Sequence, residues 1–179
     1  MPRVFIKGNH KALPESADYK SAEKIGYELS KRGFIIVSSV QKGISEAAFA
    51  GAIRGNDNSK RIAIDCKEVD LPRNSKYTEV IVADNYFDMK MKKCINSNSF
   101  IFFAGGFGIL SDIAIILHLK ELKLMGNKLV ICVGEQLEEA LSAYSFYNED
   151  VIDWFQQIVF VDDADEAIQK TLDFFDKQQ

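Results

Sequence analysis

The chain has 179 residues, a length typical of one domain that buries its own hydrophobic core. Hydrophobic residues make up 47% and charged residues 27%, which excludes collagen-like, disordered and disulfide-scaffold proteins. The formal net charge is -4, so bulk charge does not favour DNA, RNA or an anionic membrane surface as a partner.

The cysteines and histidines predict neither a metal nor a resident cofactor. Cys66, Cys94 and Cys132 lack the C-x-x-C spacing of metal and redox sites, so we expect reduced thiols in a cytoplasmic protein. His10 and His118 lie far apart in the chain. The first ten residues lack the apolar segment of a signal peptide, and no apolar run has the length of a membrane span.

Short apolar runs alternate with amphipathic segments along the chain. The predicted strands are Val4–Ile6, Phe34–Val37, Arg61–Ile64, Val80–Val82, Phe100–Phe103, Leu129–Val133 and Ile158–Val161. They are rich in Val, Ile and Phe without strict alternation, as expected for strands buried on both faces. The predicted helices are Ser16–Lys31, Gly43–Ile53, Asn85–Asn96, Ile109–Met125 and Asp165–Asp176, and Glu135–Trp154 predicts a helix, a turn and a second helix.

This alternation predicts one α/β domain over residues 1–179. The predicted architecture is Rossmann-like and doubly wound, with a mainly parallel sheet and helices on both of its faces. Asp65–Lys76 is the one long polar connection, and it is interpreted either as a surface loop or as a lid over a site.

A glycine-rich turn connects the strand that ends at Phe103 to the following helix. It consists of Ala104, Gly105, Gly106, Phe107, Gly108 and Ile109. Three glycines in four residues allow a close backbone approach, and the helix start offers free N–H groups and the positive end of the helix dipole. These features favour a bound phosphate. The alternative is a tight turn that only packs the helix against the strand.

A second segment, Asp84–Cys94, places Met89, Lys92 and Lys93 within one helical turn. Asp88 lies four residues before Lys92, a spacing typical of an exposed ion pair. The alternative is that one of the two lysines reaches a phosphate. Asp112, in the first turn of the helix after the glycines, either complements the helix dipole or lies beside a ligand.

Other candidates follow the first two predicted strands. Gly8 is expected to serve the turn after the first strand, where Asn9 either caps the loop or contacts a ligand. Ser38 and Ser39 end the second strand near the same edge of the sheet. Their hydroxyls either bind the ligand or cap the next helix.

Together the two segments resemble the LOG family, the "lonely guy" cytokinin-activating phosphoribohydrolases. The chain has M-x-x-K-K, an apolar strand and G-G-x-G-x-x-x-D, where the family has M-x-x-R-K, a strand and P-G-G-x-G-T-x-x-E. The resemblance extends over residues 4–177. It implies a Rossmann-like fold, usually a homodimer, and hydrolysis of the N-glycosidic bond of nucleoside 5′-monophosphates to base and ribose 5-phosphate.

By this resemblance the glycine-rich turn binds the phosphate of the ligand. Lys93 matches the motif lysine, Lys92 replaces the motif arginine and Asp112 replaces the motif glutamate. Lys92 and Asp112 are therefore the implied catalytic residues. The family's first glycine-rich turn corresponds here to Ser38–Glu46, in which Gly43 is the one remaining glycine and an implied ligand contact.

The departures from the family motif leave two hypotheses. The motif proline, threonine, arginine and glutamate are replaced by Ala104, Ile109, Lys92 and Asp112. The pattern also resembles the wider SLOG superfamily, whose sensor domains bind signalling nucleotides such as ADP-ribose derivatives without the hydrolase residues. The protein is therefore either a nucleotide hydrolase or a non-catalytic nucleotide-binding module, and its implied partner in both cases is a nucleotide or another phosphorylated small molecule.

Overall fold

The structure, a computed structural model, describes residues 1–146 and 155–178. Its strands are β1 (Arg3–Lys7), β2 (Ile35–Ser39), β3 (Arg61–Cys66), β4 (Glu79–Ala83), β5 (Ser99–Phe103), β6 (Leu129–Val133) and β7 (Ile158–Val161). Its helices are α1 (Ala17–Lys31), α2 (Ile44–Gly55), α3 (Tyr86–Ile95), α4 (Phe107–Glu121), α5 (Glu135–Phe146) and α6 (Ala164–Asp176).

The strands form one sheet in the order β4-β3-β2-β1-β5-β6-β7, and every strand pair is parallel. The chain first builds the sheet outward from β1 to β4 and then returns to add β5 on the other side of β1. This reversal creates a crevice at the carboxyl ends of β1 and β5, where open α/β sheets bind their ligands. The predicted Rossmann-like α/β fold is confirmed.

The core has two layers, one on each face of the sheet. On the α1–α2–α6 face, Val4 and Ile6 of β1 pack with apolar residues of those three helices. On the α3–α4–α5 face, Phe5 packs with apolar residues of α3, α4 and α5. Because side chains alternate along a strand, Lys7 points to the same face as Phe5.

Glycines allow α1 and α2 to pack closely on the first of these faces. A Cβ atom at Gly26 would lie 2.1 Å from the carbonyl oxygen of Ala48. A Cβ atom at Gly51 would lie 1.8 Å from the carbonyl oxygen of Glu23. Side chains larger than hydrogen at these positions would therefore force the two helices apart.

Several helices begin or end a few residues away from their predicted boundaries. Ser16 is the N-cap of α1, and its side chain accepts a hydrogen bond from the Tyr19 amide. The helix α4 begins at Phe107 instead of Ile109 because Gly106 is its N-cap. It ends at Glu121, short of the predicted Met125, and Lys123 adopts a positive φ of 59°.

The expectation that every strand is buried on both faces was wrong for β4. Val80 is 37% exposed and Val82 is 49% exposed. The reason is that β4 is an edge strand, and its sequence pattern does not distinguish an edge position from a central one. Of the predicted helix-turn-helix at Glu135–Trp154, the structure describes α5, and residues 147–154 lie outside the described part. No described helix is both long and apolar enough to cross a membrane.

Candidate ligand-binding site

A cavity of about 460 Å³ opens at the carboxyl ends of β1 and β5. Two glycine turns border it: Gly8 lies in the turn after β1, and Gly106 and Gly108 lie in the turn after β5. A hydrogen bond of 3.1 Å from the Asn9 amide to the Ala104 carbonyl oxygen joins the two turns. The predicted contacts Gly8, Asn9, Gly106, Phe107, Gly108 and Ile109 all line this cavity.

The glycines of the second turn have different roles. A Cβ atom at Gly106 or Gly108 would have no heavy atom within 4 Å, so nothing fills the space beside them. A Cβ atom at Gly105 would lie 2.6 Å from the Ile109 side chain. Gly105 also faces a separate cavity of about 410 Å³. The ligand interpretation therefore suits Gly106 and Gly108, whereas Gly105 allows close packing.

The start of α4 faces this cavity. Its N-cap, Gly106, makes no side-chain capping hydrogen bond, and Phe107, the first residue of the helix, is 88% exposed. A helix start with an uncapped glycine presents main-chain N–H groups and the positive end of the helix dipole. This end of the cavity therefore suits an anionic group.

Part of the cavity lining is apolar and partly aromatic. Its residues are Val69, Leu71, Tyr86 and Met89. Val69 and Leu71 belong to the long polar connection, which hydrogen bonds hold against the β2–α2 loop. The Lys42 amide donates to the Pro72 carbonyl oxygen at 3.0 Å, and the Asn74 amide donates to the Val40 carbonyl oxygen at 2.8 Å. The connection thus forms a wall of the cavity.

Beneath the cavity, three lysines surround one aspartate. The Asp112 carboxylate accepts hydrogen bonds from the Nζ atoms of Lys7 at 3.2 Å, Lys90 at 2.5 Å and Lys93 at 3.1 Å. The side chains of Lys7, Lys90, Lys93 and Asp112 are 9%, 4%, 2% and 3% exposed. We call these four residues the lysine cluster. Three ammonium groups around one carboxylate leave a formal surplus of positive charge.

Burial and mutual repulsion shift the pKa values in the lysine cluster. Burial by itself raises the pKa of Asp112, but Lys7, Lys93 and Lys90 outweigh it and lower this pKa to about 2. Burial holds the pKa of Lys93 well below its usual range, and the positive charge of Lys7 lowers it further. The carboxylate is therefore firmly ionised, whereas the surplus positive charge is unfavourable.

Lys90 connects the lysine cluster to the glycine-rich turn. Its Nζ atom donates to the carbonyl oxygen of Gly108 at 3.2 Å and to Oγ of Ser111 at 2.7 Å, in addition to Asp112. The first turn of α4 is thus fastened to α3. This arrangement fixes the position of the main-chain groups that border the cavity.

The structure separates the two predicted catalytic residues. Lys92 donates to Oδ2 of Asp88 at 2.6 Å and to the Val82 carbonyl oxygen at 3.0 Å, as the exposed ion-pair interpretation expects. Asp112 and Lys93 lie together in the lysine cluster. Among the described residues, the lining of the cavity includes none of these three. The crevice beside Asp112 has no room for a water molecule.

Three further predicted contacts support the neighbouring loops and stay outside the cavity lining. Ser38 donates to the Ile6 carbonyl oxygen at 2.5 Å, and the hydroxyls of Ser39 and Ser45 lie 2.8 Å apart. Gly43 has a positive φ of 66°, and a Cβ atom there would lie 2.3 Å from the carbonyl oxygen of Asn9. These residues hold the turn after β1 in place.

Sequence reasoning missed Lys7 and Lys90. Lys7 follows three buried apolar residues of β1, which is an unusual place for a lysine, since buried lysines need a partner. Lys90 precedes Lys93 by three residues, so both lie on one face of α3. These two signals were present in the sequence, but the partner that unites them is more than a hundred residues from Lys7.

Comparison with known proteins supports the fold. The molybdenum cofactor binding protein from the phototrophic bacterium Rippkaea orientalis has a TM-score of 0.77 and 20% identity, over 97% of each chain. The chain shares this fold. The molybdenum cofactor carrier protein of Chlamydomonas reinhardtii has a TM-score of 0.71 and 18% identity, over 96% of each chain. The structure of TM1055 has a TM-score of 0.60 and 16% identity, over 73% of each chain.

These neighbours share the α/β fold of the chain. No family model matches the chain, and no curated protein matches it. At these identities the likeness shows the fold alone. The fold places the cavity at the carboxyl ends of β1 and β5, the position at which open α/β sheets bind ligands.

Proposed function

We propose that this protein binds a phosphorylated small molecule with a planar ring, of the nucleotide or phosphopterin class, and does not cleave it. The observation that carries the proposal is the open backbone at Gly106 and Gly108, which faces a cavity whose lining includes Lys7 and Lys11. The phosphate would lie against the start of α4, where main-chain N–H groups and the helix dipole favour negative charge.

The apolar part of the cavity lining suits the ring of such a ligand. Tyr86 and Met89 supply aromatic and thioether surface, on which a flat heterocycle packs. Two of the structural neighbours are described as binding or carrying the molybdenum cofactor. A phosphorylated pterin and a nucleotide both join a flat heterocycle to a phosphate, so the same features of the cavity suit either class.

The surroundings of Asp112 favour binding over hydrolysis. In the LOG-type reaction a carboxylate would have to orient water or stabilise the developing positive charge on the sugar. Asp112 already accepts hydrogen bonds from three ammonium groups, and the crevice that it lines with Lys90 and Lys93 has no room for a water molecule. A carboxylate held in this way stabilises the fold beneath the cavity instead of reacting above it.

A thermal-shift screen tests the proposal. The probes are AMP, GMP, ADP-ribose and 6-hydroxymethylpterin phosphate, with adenosine as the uncharged control. At least one phosphorylated probe is expected to raise the Tm of the protein, and adenosine is not. Chromatography of the same mixtures is expected to show no free base. If none of the phosphorylated probes raises the Tm, the proposal is wrong; release of base would instead support the hydrolase hypothesis.

Gly106→Phe provides the matching structural test. The space beside Gly106 is open, so the phenyl ring would enter the cavity without a clash inside the fold. We expect this variant to keep its Tm and to lose the stabilisation by the phosphorylated probe. Leu122→Phe, which adds bulk at an exposed position beyond the other end of α4, is the control and should bind normally.

We also propose that the protein is a cytoplasmic homodimer. The three cysteines are free and buried, as expected in a reducing compartment. The LOG resemblance implies a dimer, and α3 exposes Phe87, Met91 and Ile95 in one apolar stripe at a spacing of four residues. A second copy of the chain would cover this stripe by pairing the two α3 helices around a two-fold axis.

Sedimentation tests the dimer. Wild type is expected to sediment as a dimer, and Ile95→Lys is expected to sediment as a monomer because a charge would enter the paired stripe. Leu13→Lys, at an exposed position outside α3, is the control and should remain dimeric. A monomeric wild type at micromolar concentration would contradict this part of the proposal.

A further inference from the structure

Among the residues of the lysine cluster, Lys7 is the one that borders both the buried aspartate and the cavity. Its Nζ atom lies 3.2 Å from Oδ2 of Asp112, and the residue also lines the 460 Å³ cavity next to Gly8. Lys90 and Lys93 belong to the cluster but are absent from the described lining of that cavity. Of the three lysines, Lys7 is therefore the one that the described cavity lining includes.

The hydrogen bonds of the three lysines also set Lys7 apart from Lys90 and Lys93. Lys90 donates to three acceptors, and Lys93 lies 3.4 Å and 3.1 Å from the two carboxylate oxygens. Lys7 donates to Asp112 Oδ2, and its ammonium group also contacts the Lys93 side chain. A lysine ammonium group has three N–H donors, so Lys7 keeps donors for a second partner.

The surplus positive charge of the lysine cluster would be stabilised by a second anion. When all three lysines are protonated, one carboxylate balances one of three ammonium groups, and buried charges are stable only when they are paired. A phosphate monoester brings a charge of about −1.5 to −2 at pH 7, whereas a phosphate diester brings one negative charge. A monoester beside Lys7 would therefore neutralise the surplus, and a diester would neutralise only part of it.

We propose that Lys7 is a specificity-determining residue through which the lysine cluster selects a terminal, doubly charged phosphate over a singly charged phosphodiester. This inference rests on the proposed function, because it names the form of phosphate that the same cavity accepts. It assigns the anionic end of the ligand to the space between Lys7 and the start of α4. The ring then extends toward Tyr86.

The experiment compares each monophosphate of the screen with its methyl ester. AMP, GMP and 6-hydroxymethylpterin phosphate are doubly charged at pH 7.5, and their methyl phosphate esters keep the same ring and linkage with one charge fewer. Calorimetric titration of wild type is expected to show at least about tenfold tighter binding of the monoester, the discrimination that one hydrogen bond to a charged group supplies. Equal affinities in wild type would overturn the inference without any substitution.

Lys7→Met then tests the residue. The substitution keeps the length of the side chain and removes its charge, and Lys90 and Lys93 still pair with Asp112. We expect the monoester to bind as weakly as the methyl ester, with the affinity for the methyl ester unchanged. A merely structural role of Lys7 would instead weaken both ligands together, and this result would overturn the inference. Lys7→Gln serves the same purpose if Lys7→Met does not fold.

Lys24→Met is the matched control. Lys24 of α1 forms an exposed ion pair with Asp165 at 2.6 Å, away from the cavity, and its loss should leave the preference for the monoester intact. The outcomes separate the two proposals. If wild type binds no phosphorylated probe, the proposed function fails and the inference fails with it. If wild type binds monoester and methyl ester equally well, only the inference about Lys7 fails.

Discussion

The two faces of the sheet bury their side chains in contrasting ways. On the α1–α2–α6 face the helices pack through apolar residues and glycines, and Gly26 and Gly51 allow backbone to approach backbone. On the α3–α4–α5 face the apolar layer ends at the lysine cluster, next to the cavity. Packing alone explains which residues are buried on the α1–α2–α6 face. The second face contains buried charges that oppose folding, and such charges are common at functional sites, which agrees with the ligand site that we propose there.

The largest effect should come from Asp112→Asn, which removes the one negative charge among three buried lysines. Loss of one partner of a buried ion pair costs about 3–5 kcal/mol, so urea unfolding should show a much lower midpoint. In wild type, Asp112 adds stability above its unfolded pKa of about 3.9. That contribution is lost as the pH falls toward the folded pKa of about 2, and the variant should lack this acid-dependent loss.

Gly51→Ala should destabilise the packing on the α1–α2–α6 face of the sheet. Its Cβ atom would lie 1.8 Å from the Glu23 carbonyl oxygen, so α1 and α2 must separate, at a cost of about 1–3 kcal/mol or more. The control is Gly108→Ala, where the added methyl group meets no atom within 4 Å. Equal unfolding midpoints for the two alanine variants would show that the α1–α2 contact is looser than described.

Lys93→Met tests the α3–α4–α5 face, because it removes one buried positive charge without introducing a steric clash. The pKa of Lys93 is lower in the folded state than its value of about 10.4 in the unfolded state. At pH values between these two pKa values, the unfolded state therefore binds more protons than the folded state does. The contribution of Lys93 to stability therefore rises as the pH rises through that window. The variant should lose this alkaline rise and should be at least as stable as wild type at pH 7. A strong loss of stability at pH 7 would mean that Lys93 pairs favourably with Asp112.

The smallest effect is expected for Lys92→Met. Lys92 pairs with Asp88 at the exposed surface of α3, and such pairs contribute little to stability. Neither the unfolding midpoint nor the affinity for a phosphorylated probe should change measurably. A loss of ligand affinity would return Lys92 to the role that the LOG motif implies.

The pattern of apolar runs and glycines was sufficient to predict the fold and the position of the cavity. Buried parallel strands are visible as runs of Val, Ile and Phe, and a glycine turn at a strand end is a local feature. Lys92 and Lys93 are neighbours in sequence, but adjacent helical residues point about 100° apart, so only Lys93 faces Asp112. The role of Lys7 depends on contacts with α4, which no local pattern reveals.

The surplus charge beneath the cavity also bears on how long the protein survives in a cell. A ligand that binds only the folded state adds about 2.7 kcal/mol at a hundredfold excess over its Kd. Protein molecules without bound ligand would unfold more often and would be degraded sooner by proteases. The amount of this protein in the cell would then follow the supply of the compound that fills it.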